Sequence, residues 1–121
     1  MGINELVLKS LEDIGVPVYF LHKHNANDED TYIIFNITSE DDRAFTDNEN
    51  EIVRYRLLFK IFSKGDFTDT YNILVRKLKE NGFMKGAASS DFNDELLLYQ
   101  KSVYFTKILL NEDVIQTSFF M

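Results

Sequence analysis

The chain has 121 residues, of which 45% are hydrophobic, and it carries a formal net charge of −7 at pH 7. This length and apolar content predict a single domain with its own core and exclude a disordered chain. The negative charge argues against a general nucleic-acid-binding surface and against binding to an anionic membrane, and the lack of cysteine excludes disulfides and thiolate metal sites.

The first predicted element is a helix near the N-terminus. Apolar residues recur with helical spacing from Ile3 to Ile14, and Gly15 followed by Pro17 supplies a stop. The pattern favours a helix packed on a sheet over a partner-binding helix. The segment does not have the composition of a signal peptide, and no stretch approaches the ~20 apolar residues of a membrane span. We therefore expect a soluble protein of the cytoplasm, or one made there.

Three strands are predicted next, over 16–22, over Thr31–Thr38 and from Ile52 onward. The third strand shows the clearest alternation in the sequence. Its apolar face consists of Val53, Tyr55, Leu57, Phe59 and Ile61. Its other face carries Arg54, Arg56 and Lys60, with Leu58 and Phe62 as apolar exceptions. Such alternation predicts one buried and one wetter sheet face. Residues 39–50 are rich in carboxylates, and we expect them to connect strands 2 and 3 as a long β-hairpin.

A second helix is predicted after Asp66, a good N-cap residue, and it should end at Asn81-Gly82. Arg76, Lys77 and Lys79 lie near its C-terminal end, where the helix dipole favours cations. Two further strands are predicted, over 83–92 and 96–110, with a turn over 91–95.

The element order α-β-β-β-α-β-β predicts an α+β fold, in which two helices pack on one face of an antiparallel or mixed sheet. We expect residues 1–113 to form one domain and residues 114–121 to form a C-terminal tail. The tail ends in Phe-Phe-Met. This composition fits a flexible end or an apolar plug for another subunit, and we favour the flexible end.

Residues capable of catalysis or metal binding are few. His22 and His24 could chelate a metal with Asp28 or Asp30, but a polar strand end explains them better. The sequence has no glycine-rich phosphate loop and no Gly-x-Ser-x-Gly motif. A spatially paired carboxylate site stays open as an alternative because such pairing is invisible in sequence. We therefore predict a protein that is not an enzyme and that holds neither metal nor cofactor.

Charge is distributed unevenly along the chain. Between Lys23 and Glu51 there are nine acidic side chains and two basic ones. This segment is either a solvated loop or a protruding arm that contacts basic residues of a neighbouring subunit. The second interpretation predicts interface residues at Asp41, Asp42, Asp47, Glu49, Arg54, Arg56 and Lys60.

Several short motifs follow one another in a characteristic order. They are Pro17-Val18-Tyr19 after the first helix, Tyr32–Phe35, Asp47-Asn48-Glu49, the strand end Phe59–Asp66, Gly82-Phe83 after the second helix, and Tyr99-Gln100-Lys101. In this arrangement, over about residues 1–110, the chain resembles the tail terminator, or tail completion, proteins of siphophages, including those in prophages of Gram-positive bacteria.

The resemblance implies a virion structural protein, assembled in the host cytoplasm, that forms a hexameric ring at the head-proximal end of the tail. Such a ring halts tail-tube polymerisation and joins the tail to the head connector. The implied partners are further copies of the chain, the major tail tube protein and a head completion or connector protein, with no nucleic-acid specificity and no membrane. The family has no catalytic residues to carry over. The alternatives are a head completion or other minor tail protein, a small acidic intracellular binding or inhibitor domain, and a small hydrolase.

Overall fold

A computed structural model describes residues 2–23, 30–44 and 51–110. The elements are α1 (Ile3–Ser10), β1 (Val18–Phe20), β2 (Thr31–Ala44), β3 (Glu51–Ser63), α2 (Thr68–Glu80), β4 (Met84–Asn93) and β5 (Leu98–Leu110). This order confirms the predicted α+β class and the predicted sequence of helices and strands. The predicted tail, 114–121, lies outside the described residues.

The five strands form one mixed sheet in the order β1-β2-β3-β5-β4. β1 runs parallel to β2, and the other neighbouring strands are antiparallel. β2 and β3 pair from Thr31 opposite Ser63 to Ala44 opposite Glu51, which confirms the predicted long hairpin.

β2 continues six residues further than the apolar signal indicates, to Ala44 instead of Thr38. The pairing register shifts between Ile37 and Ser39, where the composition changes from apolar to acidic. Beyond this bulge the strand is maintained by main-chain pairing with β3. Strand propensity depends on such context, and carboxylate-rich residues therefore form a strand here.

The main core lies between the two helices and one face of the sheet, as predicted. All five residues of the apolar face of β3 are buried. The helices contribute Ile3, Val7 and Leu11 from the N-terminal segment and Leu74 and Leu78 from α2. Arg54, Arg56 and Lys60 lie on the opposite face, where a smaller cluster of Tyr32, Phe62 and Leu98 is buried.

The N-terminal elements are shorter than predicted. α1 ends at Ser10, whose hydroxyl donates a 2.7 Å hydrogen bond to the Leu6 carbonyl, although Leu11 and Ile14 remain buried in the turn that follows. β1 covers three residues instead of 16–22. It ends because Leu21 takes a left-handed φ of 71°, and its N–H donates to the Phe35 carbonyl at 2.8 Å.

α2 begins one residue later than its predicted cap implies. The residue that precedes the helix is Phe67, so the prediction of Asp66 as the N-cap is wrong by one position. The Asp66 carboxylate nevertheless accepts hydrogen bonds from the hydroxyl of Thr68 at 2.6 Å and from its backbone N–H at 2.9 Å. These bonds satisfy a donor at the start of the helix and lower the pKa of Asp66 below its usual value.

The predicted end of α2 is confirmed. Asn81 is the C-cap, and Gly82 takes a left-handed φ of 85°. The N–H groups of Gly82 and Phe83 donate to the carbonyls of Lys79 and Leu78, at 3.1 and 2.9 Å. These two bonds form a Schellman motif, which satisfies carbonyls that the last helical turn leaves unpaired.

The turn between β4 and β5 covers residues 94–97, three residues later than the predicted start at 91. The Leu96 N–H donates to the Asn93 side-chain oxygen at 2.9 Å, and Leu97 has a left-handed φ of 56°. β5 therefore begins at Leu98 and not at 96.

Candidate interaction surfaces

The outer part of β2 forms an acidic edge of the sheet. β1 pairs only with Ile33–Phe35, so on that side β2 has no strand partner from Asn36 to Ala44 among the described residues. We call Ser39–Ala44 the acidic edge. The Glu40 side chain on this edge is exposed, so it is available to a partner.

One predicted pair of interface residues meets within the chain itself. Arg54 donates a 2.9 Å hydrogen bond to the Asp41 carboxylate, directly across the hairpin. Both side chains are at least one-third exposed, and such pairs contribute about 0.2–1 kcal/mol because water screens them. The pair partly offsets the positive charge of Arg54.

Among the described side chains, the predicted interface residues Arg56 and Lys60 form no ion pair. Arg56 is exposed on the same face as Arg54, and Lys60 is half-buried there. Asp42 lies in β2 opposite Val53. Asp47 and Glu49 lie outside the described residues. Contact of these residues with a neighbouring subunit therefore stays a prediction.

A basic groove between α2 and β4 was not predicted from the sequence. It has a volume of about 570 Å³ and is lined by Tyr71, Asn72, Val75, Arg76, Lys79, Glu80 and Lys85. The sequence explains Arg76 and Lys79 by the helix dipole alone. The packing of β4 beside α2 places Lys85 next to Arg76 and Lys79, and the three cations together form one basic surface.

Two lysines of β5 extend this positive surface. The ammonium of Lys101 lies 4.8 Å from the centre of the Tyr71 ring, which lines the groove. Lys107 donates a 3.0 Å hydrogen bond to the Asn81 carbonyl, the C-cap of α2, and lies 5.5 Å from the centre of the Phe83 ring. The two ammonium groups therefore place further positive charge on the side of the sheet where α2 packs.

The residues considered for metal binding are not assembled into a site in the described part of the chain. His22 is exposed just beyond β1, and His24, Asp28 and the other residues of 24–29 lie outside the described ranges. Within those ranges no three His, Asp or Glu side chains are grouped so that they could hold a metal ion. No helix in the same ranges is long and apolar enough to cross a membrane.

The fold and these surfaces define a small α+β domain with a five-stranded mixed sheet, an acidic edge and a basic groove. No protein-family model matches the sequence, and no curated protein matches it. Among solved structures, the chain is similar to a chain from the virion of a native gene transfer agent particle. The TM-score is 0.59 at 11% sequence identity, and the match covers 86% of this chain and 91% of the other. At that identity the likeness shows a shared fold.

Proposed function

We propose that this chain is a virion structural protein that forms a ring at the head-proximal end of a phage or prophage tail. The ring stops polymerisation of the tail tube and joins the tail to the head connector. The observation that carries the proposal is the fold shared with a chain of a gene transfer agent virion over 86% of the present chain. The motif order of the sequence, which resembles tail terminators, supports the same role.

The proposed role is one of assembly and not of catalysis. A ring interface is heterologous: one surface of each copy contacts a different surface of the next. The chain carries two surfaces of opposite charge, the acidic edge and the basic groove, and opposite charges make two different surfaces complementary. No cofactor enters this function, and the partners are other copies, the major tail tube protein and a head completion or connector protein.

The same fold likeness supports a second candidate, a head completion protein or another minor tail protein. Both candidates place the chain in a virion. They differ in which surface is recognised, because a terminator must bind the end of the tail tube and a head completion protein must bind the portal side of the connection.

The test measures self-association and tube capping together. Mass photometry of the purified chain over a range of concentrations should show rings of about six copies, and electron microscopy should show a central hole. Added to tubes of the cognate major tail protein, the chain should bind tube ends and stop their growth, whereas an unrelated acidic protein of similar size should not. A chain that stays monomeric, alone and with tubes, contradicts the proposal. Rings that bind only the head connector favour the second candidate.

A further inference from the structure

The acidic edge and the basic groove lie at opposite edges of one sheet. The strand order places β2, with the short β1, at one edge and β4 at the other. Since β1 stops at the level of Phe35, β2 itself is the sheet edge among the described residues where its acidic residues lie. The groove is formed by β4 and the helix packed beside it.

The two surfaces also lie at nearly the same height along the strands. Glu40 pairs with Tyr55, which pairs in turn with Lys107. Lys107 reaches the C-terminal end of α2 through its bond to the Asn81 carbonyl. Lys85 pairs with Phe105, two residues earlier along β5, which is a displacement of about 7 Å. A lateral contact between copies at a common height would therefore bring the two surfaces together.

The groove has cationic groups without carboxylate partners. Arg76 is 3.9 Å from Glu80 on the next helical turn. Within the described ranges Lys79 and Lys85 form no ion pair, nor does Glu40 on the acidic edge. In a chain of net charge −7, a groove lined by three cations and one carboxylate is a local reversal of sign. Its electrostatic complement is an acidic segment.

We propose that the basic groove of one copy binds the acidic edge of β2 of the next copy, and that this contact, repeated, closes the ring. The inference rests on the proposed ring function. The opposite positions and common height of the surfaces are the geometry of a heterologous contact, which closes into a ring when the rotation between copies allows it. The basic face of β3 is a poorer complement, because β3 is a central strand and Arg54 already binds Asp41 in its own chain.

The first test reverses the charge of the groove. We expect K79E/K85E to weaken ring formation by about tenfold or more, measured by mass photometry, since like charges would then face each other. The matched control is K9E/K77E, which makes the same change of net charge with one substitution in α1 and one on a part of α2 that does not line the groove. Circular dichroism and thermal melting establish that both variants are folded, and the control should form rings like the original chain.

The second test restores the charge complement. E40K/D42K should also fail to form rings alone. Mixed in equal amounts with K79E/K85E, it should form rings in which the two variants alternate, because each variant then offers what the other binds. Native mass spectrometry reads the ratio of the two variants in the mixed ring.

The outcomes separate the inference from the proposed function. Rings that persist in K79E/K85E, or that fail to return on mixing, overturn the groove as the interface and leave the ring function standing. Rings lost in R56E/K60E but kept in K79E/K85E assign the contact to the basic face of β3 and overturn the inference as well. A chain of original sequence that forms no rings refutes the proposed function itself.

Discussion

Asp66 shows how one exposed side chain can organise an element. Its carboxylate accepts hydrogen bonds from the hydroxyl and from the backbone N–H of Thr68. Both donors are held in position at the start of α2. The hydrogen bonds favour the charged form, which is why the pKa of Asp66 lies below its usual value of 3.8.

Asp66→Ala should lower the melting temperature at neutral pH, because the first turn of α2 loses its side-chain acceptor. A depressed folded-state pKa contributes stability that is present above the unfolded value and is lost as pH falls through the folded one. The difference in melting temperature between the original chain and the variant should therefore shrink below about pH 3.8. Far-UV circular dichroism at several pH values measures it, with Asp94→Ala in the exposed β4–β5 turn as the control. A difference that does not change with pH would contradict the role given to the carboxylate.

At the scale of elements, α2 is defined at both ends by side chains and backbone angles that the sequence encodes locally. Its end requires a residue that tolerates positive φ, because the chain reverses there into β4. The close approach of Lys107 to Gly82 adds a second constraint, since a Cβ at this position would meet the lysine ammonium.

Gly82→Ala should destabilise the domain by about 1–2 kcal/mol, the usual penalty for a side chain in the left-handed region. The contact with Lys107 adds less, because the far end of a flexible side chain can move. Urea denaturation gives the free energy of unfolding. The control is Gly65→Ala, whose new Cβ would meet no atom within 4 Å and whose φ is not in the left-handed region. Equal losses for the two variants would show that the C-cap geometry is unimportant.

The outer hairpin forms a strand although its composition is typical of a loop. Residues 39–44 have the composition of a loop, yet they pair with β3 up to Ala44. The bulge after Ile37 shifts the pairing register, and beyond it acidic residues of β2 lie opposite buried residues of β3 such as Tyr55. The result is a polar edge strand, of the kind that resists nonspecific pairing and can still present charge to a specific partner.

At the scale of the whole molecule, an aromatic cluster in the core connects three strands and both helices. Phe59 lies in the central strand, with its ring centre 5.6 Å from that of Phe35 in β2 and 5.7 Å from that of Phe105 in β5. All three side chains are fully buried. Because both helices pack on the same cluster, a defect at Phe59 affects every layer of the fold.

Phe59→Ala should cost about 3–5 kcal/mol, which is the lost transfer free energy plus the cavity left behind. Domains of this size are stable by only about 5–15 kcal/mol, so the variant should lose a large fraction of its stability. Chemical denaturation measures the loss. Phe92→Ala, at a ring that is 40% exposed and packs edge-on against Tyr99, is the control and should cost much less. Similar costs at both positions would refute the central position of Phe59 in the core.

Much of this protein follows from its sequence alone. The alternation along β3 and the helical spacing of α2 depend on side chains a few residues apart, so the periodicity revealed which faces are buried. The signals at Asp66 and Gly82 located the ends of α2 to within a residue or two.

The strand order, the full length of β2 and the basic groove were decided by tertiary structure. Arg76 and Lys79 gain Lys85 as a neighbour only when β4 packs beside α2, and Asp41 meets Arg54 only across the hairpin. Such contacts depend on how segments that are distant in the sequence pair, and short-range periodicity does not predict that pairing.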